Sequence, residues 1–215
     1  MNLRQLVSLA RIGCSFGRRI KSLYPEAGRV SVEFTYSRVT DLRPLRGLPL
    51  HHLGLYGTAI NDWRELARLD FLTLNVGGTS FADLSLLAGK PLTSLELFRT
   101  PVASLQGIET MPLRRLQIGE TRIRDFSRLS RLPLSWLLML GCATDDLSFL
   151  ADMNLERFGF SFTRGTRGLE PLRGMSKLQW VHTTEYDSFS AAEFWRRFDQ
   201  GLPLDENRAE YQRQA

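Results

Sequence analysis

The stretch Leu134-Ser135-Trp136-Leu137-Leu138-Met139-Leu140-Gly141-Cys142 decides the fold, because it is the sixth copy of a segment that returns every 21 residues. Seven such units begin at residues 29, 50, 71, 92, 113, 134 and 155. In every unit positions 4 and 6 are apolar, and position 9 is a small polar residue, usually threonine. Position 13 is often aspartate, and apolar residues usually follow at positions 14 and 17. A fixed period of this length is the signature of a repeat architecture.

The 21-residue pattern is that of a leucine-rich repeat with threonine in the column where asparagine is common. Positions 3–7 alternate in hydrophobicity, which predicts a short strand with positions 4 and 6 inside. Threonine at position 9 can satisfy backbone groups of the following turn, and aspartate at position 13 can cap a short helical segment. We therefore expect an α/β solenoid with a curved parallel sheet of seven to eight short strands. Short helical or 3-10 segments should form its convex side, with helical caps at both ends.

The array divides the chain into three regions. Residues 1–28 form the predicted N-terminal cap, residues 29–182 the repeats, and residues 183–215 the C-terminal cap with a frayed tail. Apolar residues recur at roughly helical spacing over 2–24, which predicts an amphipathic capping helix there. The seventh unit slips by one residue, and a strand-like segment at 178–181 closes the array, as expected of terminal units.

The C-terminal cap carries clear helix signals. Ser190-Ala191-Ala192-Glu193 matches a capping box, in which a serine and a glutamate satisfy backbone N–H groups at a helix start. A helix should therefore span about 191–200 and end at Gly201, since glycine favours the left-handed conformation that ends helices. We expect Phe194 and Trp195 of this helix to cover the last repeat.

Composition and charge exclude several classes of protein. The chain has 215 residues and a net charge of +5, and residues 1–25 hold five basic residues and no acidic one, so the remainder is neutral. A nucleic-acid binder would more often carry a basic stripe along its main domain. No run of 18 apolar residues predicts a transmembrane helix. The two cysteines, Cys14 and Cys142, cannot form a disulfide framework, which favours a reducing compartment and a cytoplasmic location.

The histidines, cysteines and acidic residues do not form a recognisable catalytic or metal-binding pattern. His51 and His52 are adjacent but have no third ligand nearby in sequence, and His182 is expected some six strands away. Cys142 takes the place of the threonine at position 9, so we expect it to be buried and inert. We therefore predict no enzymatic activity, no cofactor, no metal and no small-molecule substrate.

Positions 3, 5, 7 and 8 should face outward on the concave surface of the sheet. Most of these side chains are polar or small, but in unit six Trp136, Leu138 and Leu140 all point outward. Gly119 and Gly159 lie in register beside them and should leave them uncovered. An exposed apolar patch of this kind marks an interaction site.

Two arginines flank the unit-six tryptophan at one strand spacing on each side, which would allow their guanidinium groups to stack on its ring. Aromatic residues in units two and four extend the patch along the same face. Tryptophan, tyrosine and arginine are the residues enriched in binding hot spots. The predicted protein-binding residues are Trp136, Leu138, Leu140, Arg115, Arg157, Phe98 and Tyr56.

Three segments carry a family resemblance. Leu42-Arg43-Pro44-Leu45-Arg46-Gly47-Leu48-Pro49-Leu50 resembles the D-L-S-P-L-x-G-M-P-L phrase of a large bacterial family of leucine-rich repeat proteins, and 169–175 repeats it. Ala191-Ala192-Glu193-Phe194-Trp195 is similar to that family's closing A-A-E-F-W helix. Arrays of this family are often attached to serine/threonine kinase domains or stand alone as protein-binding modules. The present sequence has no Gly-rich nucleotide loop, H-R-D or D-F-G motif, so the resemblance implies a scaffold and leaves the ligand open.

The sequence thus predicts a non-catalytic protein–protein interaction module that binds a protein partner on the concave face, with no nucleic-acid partner. Three alternatives stay open. The unit-six patch could mediate self-association as a homodimer, or the chain's own tail could cover it. The basic helix over 2–24 could attach the protein to a membrane or another anionic surface.

Overall fold

A computed structural model of the chain describes residues 22–26, 28–163 and 165–205. In this part of the chain ten strands form one sheet, and their spatial order follows their order in the sequence. The strands are β1 (Ser22–Glu26), β2 (Arg29–Glu33), β3 (Leu50–Gly54), β4 (Thr73–Asn75), β5 (Ser94–Glu96), β6 (Arg115–Gln117), β7 (Trp136–Leu138), β8 (Arg157–Gly159), β9 (Trp180–His182) and β10 (Ser188–Ser190). Strands β2 to β9 are parallel, whereas β1 and β10 are antiparallel edge strands. The predicted leucine-rich repeat solenoid is confirmed.

Positions 4 and 6 of each unit form two buried columns. Leu95 and Leu97 of unit four, for example, have no exposed surface. The position-4 column runs in register through Leu53, Leu74, Leu95, Leu116, Leu137, Phe158 and Val181. A strand of three residues cannot bury its apolar face alone, so each unit depends on its neighbours for a core.

In units two to five the strand is followed by a turn that the position-9 threonine stabilises, as predicted. Thr58 and Thr100 donate hydroxyl hydrogen bonds to the carbonyls of Leu55 and Leu97 at 2.8 and 2.6 Å, and Thr79 and Thr121 make the same bond. Position 8 of these turns has a positive φ in six successive units, a feature that we did not predict. The residues concerned are Tyr36, Gly57, Gly78, Arg99, Glu120 and Gly141.

The convex side consists of short 3-10 segments that follow the position-13 aspartates. These segments are Arg43–Leu45, Arg64–Arg68, Leu84–Leu87, Ser127–Arg131 and Ser148–Leu150. Each aspartate accepts a hydrogen bond from the backbone N–H two residues later, as Asp125 does from Ser127 at 2.9 Å. In unit four, which has no aspartate there, the hydroxyl of Ser104 accepts the equivalent bond from Gln106. Asp83 is the N-cap residue of its segment, as predicted, whereas the other four aspartates stand one residue before the N-cap and bond the first N–H of the segment.

Two α-helices close the array, α1 (Glu170–Gly174) in the seventh unit and α2 (Ala191–Gln200) in the C-terminal cap. The Ser190 hydroxyl accepts a hydrogen bond from the N–H of Glu193, and Gly201 ends α2 in the left-handed conformation with a φ of 65°. Phe194 is fully buried, with its ring centroid 4.7 Å from that of Phe162 of unit seven. The prediction for this helix is confirmed.

The predicted helix over 2–24 is wrong at its C-terminal end, because Ser22–Glu26 form strand β1, antiparallel to β2. Apolar spacing alone did not reveal that this segment can pair with the exposed edge of the first repeat. Pro25 is tolerated because β1 is the outermost strand, where a missing backbone N–H need not break the sheet. The rest of the predicted helix, and the tail from 206, lie outside the described residues. No helix in the described ranges is long and apolar enough to cross a membrane.

Candidate protein-binding surface

The parallel register brings the position-3 side chains of the last four parallel strands, β6 to β9, into one row on the concave face. Arg115 is paired with Trp136, Trp136 with Arg157, and Arg157 with Trp180. Arginine and tryptophan therefore alternate, with about 4.8 Å between neighbouring strands. We call these four residues the Arg–Trp row.

The Arg–Trp row is accessible to a partner. The guanidinium carbon of Arg115 lies 4.3 Å from the ring centroid of Trp136, a contact worth about 0.5–1 kcal/mol at an exposed site. Arg115 and Arg157 are exposed, Trp136 is half-buried and Trp180 is 39% exposed. Neither arginine forms an ion pair with a carboxylate of the described residues. Two positive charges thus remain available beside two tryptophan rings.

Leu138, Leu140 and Phe98 are less open than predicted. Leu140 and Phe98 are each only 8% exposed, and Leu138 is half-buried. The expectation that Gly119 and Gly159 leave their neighbours uncovered is wrong, because these glycines provide the space in which the neighbours lie. A Cβ atom on Gly119 would stand 3.0 Å from Cδ2 of Phe98, and Leu138 occupies the space above Gly159.

This arrangement recurs along the whole array. A large side chain of one unit lies over the glycine that stands 21 residues later, in the same column of the next unit. The six pairs are Glu33 and Gly54, Tyr36 and Gly57, Tyr56 and Gly77, Phe98 and Gly119, Glu120 and Gly141, and Leu138 and Gly159. The concave surface is therefore flatter than its residue types suggest, and at positions 3, 5 and 7 its most exposed aromatic and basic groups belong to the Arg–Trp row.

An ionic cluster covers Phe98 at the rim of the concave face. The Arg99 guanidinium stacks on the Phe98 ring at 4.5 Å and pairs with Glu120 at 2.9 Å. It also lies 3.5 Å from Glu185, in the segment between β9 and β10. The hydrogen bond with Glu120 raises the pKa of Arg99. These contacts explain why Phe98 is not part of an open apolar patch.

Tyr56 lies at the same rim in unit two. Its ring packs over Gly77 and meets the ring of Tyr36 edge-on, with centroids 5.3 Å apart. Tyr36 is 70% exposed, and its hydrogen bond with Tyr56 raises the pKa of Tyr36. The predicted residue Tyr56 is thus near the surface but far along the sheet from the Arg–Trp row.

The first four units carry an acidic network on the same face. His52 contacts the Thr73 hydroxyl through Nδ1 at 2.8 Å and the Glu33 carboxylate through Nε2 at 3.3 Å, while Asn75 donates to Glu96 at 2.7 Å. Burial opposes ionisation of Glu33, but hydrogen bonds from His52 and a threonine outweigh it and lower the pKa of Glu33. Burial raises the pKa of Glu96. Sequence reasoning missed this network because its members stand 19 to 21 residues apart.

Acidic and basic residues therefore lie in opposite halves of the concave face. At positions 3, 5 and 7 of the described strands, the charged residues of the first four units are Glu33 and Glu96, and those of the later units are Arg115 and Arg157. In the described ranges no group of three or more histidine, cysteine or acidic side chains could hold a metal ion.

Cys142 lies in the threonine column, as expected, with its thiol 3.2 Å from the carbonyl oxygen of Ile118. Burial raises the pKa of Cys142 to about 12, so the thiol stays protonated at neutral pH and is a poor nucleophile. Cys14 lies outside the described residues.

Two features near the end of the array also escaped prediction. Trp180 and His182 of β9 continue the rows of concave side chains. The strand-like segment at 178–181 could have been used to predict their positions. The Nε2 atom of His182 is buried without a hydrogen-bond partner among the described residues, and burial together with Arg157 lowers the pKa of His182. A cavity of about 740 Å³ lies between unit seven and the C-terminal cap, lined by Phe162, Phe198 and several polar side chains.

Comparison with solved structures supports the fold. An internalin C2 from Listeria monocytogenes str. 4b F2365 superposes with a TM-score of 0.58 and 21% identity, covering 69% of this chain and 68% of that chain. An internalin (InlF) from the same strain gives a TM-score of 0.52 and 23% identity, covering 67% of this chain and 51% of that chain. No protein-family model and no curated protein sequence matches this chain. The likeness establishes a leucine-rich repeat fold shared with bacterial proteins, and the resemblance to kinase-associated arrays stays a prediction.

Proposed function

We propose that this protein is a non-catalytic interaction module that binds a protein partner on its concave face through the Arg–Trp row. The observation that carries the proposal is the in-register alternation of Arg115, Trp136, Arg157 and Trp180, with both arginines exposed and unpaired within the described chain. Arginine and tryptophan are among the residues that contribute most to protein–protein binding energy. Solenoids also offer an extended concave surface that suits a protein ligand.

The surroundings of the Arg–Trp row support the same assignment. Phe98 lies under Arg99, and Leu138 lies over Gly159, so both are fixed by contacts within the array. Such residues shape the floor of the surface, whereas the row presents groups that gain contacts on binding. A cytoplasmic location is part of the proposal, and the free, half-buried Cys142 thiol supports it.

Affinity capture from the source organism tests this function. We expect the wild-type chain to retain a specific protein that Trp136→Ala does not retain, because the substitution removes the ring between the two arginines. Arg173→Ala is the matched control, since Arg173 stacks on Trp195 at 4.2 Å in the C-terminal cap, away from the concave rows. Circular dichroism of each variant establishes that it is folded. Retention of the same proteins by folded Trp136→Ala would contradict the proposal.

A further inference from the structure

The Arg–Trp row repeats its chemistry every second strand. Arg115 and Arg157 are two strands apart, as are Trp136 and Trp180, so the backbone separation within each pair is about 10 Å. A polyproline II helix has three residues per turn and rises about 3.1 Å per residue, so every third side chain returns to one face at about 9.3 Å. A β-strand returns to the same face after about 6.7 Å, and an α-helix after about 5.4 Å. The polyproline II repeat comes closest to the two-strand spacing of about 9.6 Å, and two turns of an α-helix, about 10.8 Å, come next.

Charge defines the residues that would meet the arginines. The exposed guanidinium groups of Arg115 and Arg157 form no ion pair with a carboxylate of the described chain, although the charge of Arg115 acts on the half-buried Glu96 carboxyl in the neighbouring unit. Several other exposed arginines form ion pairs, for example Arg99 with Glu120 and Arg173 with Asp199. A carboxylate on a partner would form a charge-assisted hydrogen bond with each free guanidinium.

The tryptophans indicate which partner residues would lie between the partner's carboxylates. Trp136 and Trp180 present partly exposed rings between and beyond the two arginines. Aromatic surfaces bind proline-rich segments because the preformed polyproline II helix loses little conformational entropy on docking. The proposed function names a protein partner on this face, and we infer that the segment it inserts is an acidic polyproline II helix. Its carboxylates stand three residues apart over Arg115 and Arg157, and its prolines pack on Trp180 and beside the Arg115–Trp136 stack.

A single-stranded nucleic acid also combines negative charge with groups that stack on aromatic rings. The structure favours the peptide for two reasons. Glu33 and Glu96 lie on the same concave face and would repel a phosphate backbone that continued along it. The sequence outside 1–25 also has no net positive charge, whereas nucleic-acid binding draws its affinity from many basic contacts.

Fluorescence polarisation with the full chain and a labelled peptide of three Glu-Pro-Pro repeats tests this inference. We expect binding to wild type that is about tenfold weaker for Arg157→Gln, since one charge-assisted contact is lost. Arg131→Gln is the matched control, because Arg131 is exposed on the convex side at the end of Ser127–Arg131. A Gln-Pro-Pro peptide tests the charge, a Glu-Pro repeat tests the spacing, and oligothymidylate tests the nucleic-acid alternative.

The inference is overturned if the Glu-Pro-Pro peptide does not bind at concentrations up to about 1 mM. It is also overturned if the Gln-Pro-Pro or Glu-Pro peptide binds equally well, or if oligothymidylate binds more tightly. These outcomes differ from failure of the proposed function. If capture of a protein still depends on Trp136 while the peptide does not bind, only the nature of the bound segment is wrong.

Discussion

Single glycines determine how the concave surface is filled. The Phe98 ring of the preceding unit packs over Gly119, and the Tyr56 ring packs over Gly77 in the same way. The sequence showed these glycines and their large neighbours but not the direction in which the side chains lean. That direction depends on packing between residues 21 positions apart, which no local pattern describes.

Replacing Gly119 tests this packing directly. Gly119→Ala should lower the free energy of unfolding by about 1–3 kcal/mol, because the added Cβ would stand 2.5 Å from the backbone oxygen of Leu140 as well as against Phe98. Chemical denaturation measures the change. Gly174→Ala is the control, since no atom lies within 4 Å of its added Cβ, and it should change stability by less than about 1 kcal/mol. Equal effects of the two substitutions would refute the packing argument.

Three residues adopt a backbone conformation that usually requires glycine. Tyr36, Arg99 and Glu120 have φ values of 53°, 57° and 51°, a region that disfavours side chains by about 1–2 kcal/mol per residue. The sequence carried a signal for this turn, because position 8 is glycine in three other units. The cation–π and ionic contacts of Arg99 offset part of that strain at the rim.

At the scale of elements, local signals predicted most of the structure and failed at one end. Ser190 and Gly201 marked the limits of α2 correctly, since both act through backbone groups within one turn. The segment Ser22–Glu26 has apolar spacing compatible with a helix, but pairing with β2 makes it a strand. Edge pairing is a tertiary effect that can override local preference.

Helix α2 should contribute to stability chiefly through one residue. Phe194→Ala is expected to lower the free energy of unfolding by about 3–5 kcal/mol, because the buried Phe194 ring packs on Phe162. Thermal unfolding followed by circular dichroism measures the loss. Gln200→Ala, at an exposed position of the same helix, should leave the midpoint almost unchanged, and a similar loss there would argue against this role for Phe194.

Across the whole molecule, aspartate carboxylates stabilise the convex turns from within each turn. Each of these turn aspartates accepts hydrogen bonds from the side chain and from the backbone N–H of the residue two positions later, and both bonds lower the pKa of the aspartate, the side-chain bond more strongly. The group comprises Asp41, Asp62, Asp125 and Asp146, and the pKa of Asp62 falls to about 2. In the C-terminal cap, ion pairs with Arg196 and Arg197 lower the pKa of Glu193 to about 2.

These shifts predict acid sensitivity. A carboxyl group with a lowered pKa in the folded state binds fewer protons when folded than when unfolded, so its stabilisation is complete above about pH 4 and is lost towards pH 2. The urea midpoint should therefore stay nearly constant from about pH 7 to 5 and fall steeply below about pH 4. Asp62→Asn should show a smaller fall than wild type. A midpoint that stays level down to about pH 2 would rule out this account.

The packing of large side chains over glycines of the next unit limits how such an array can gain repeats by duplication. In unit two, Gly57 leaves space for the Tyr36 ring of unit one, and the Tyr56 ring of unit two lies over Gly77 of unit three. A duplication of unit two alone would set Tyr56 against a second tyrosine where the structure requires a glycine. A duplication that carries units two and three together keeps Gly77 beside the first copy of Tyr56. New repeats should therefore persist more readily when they arise as blocks that contain both members of a pair.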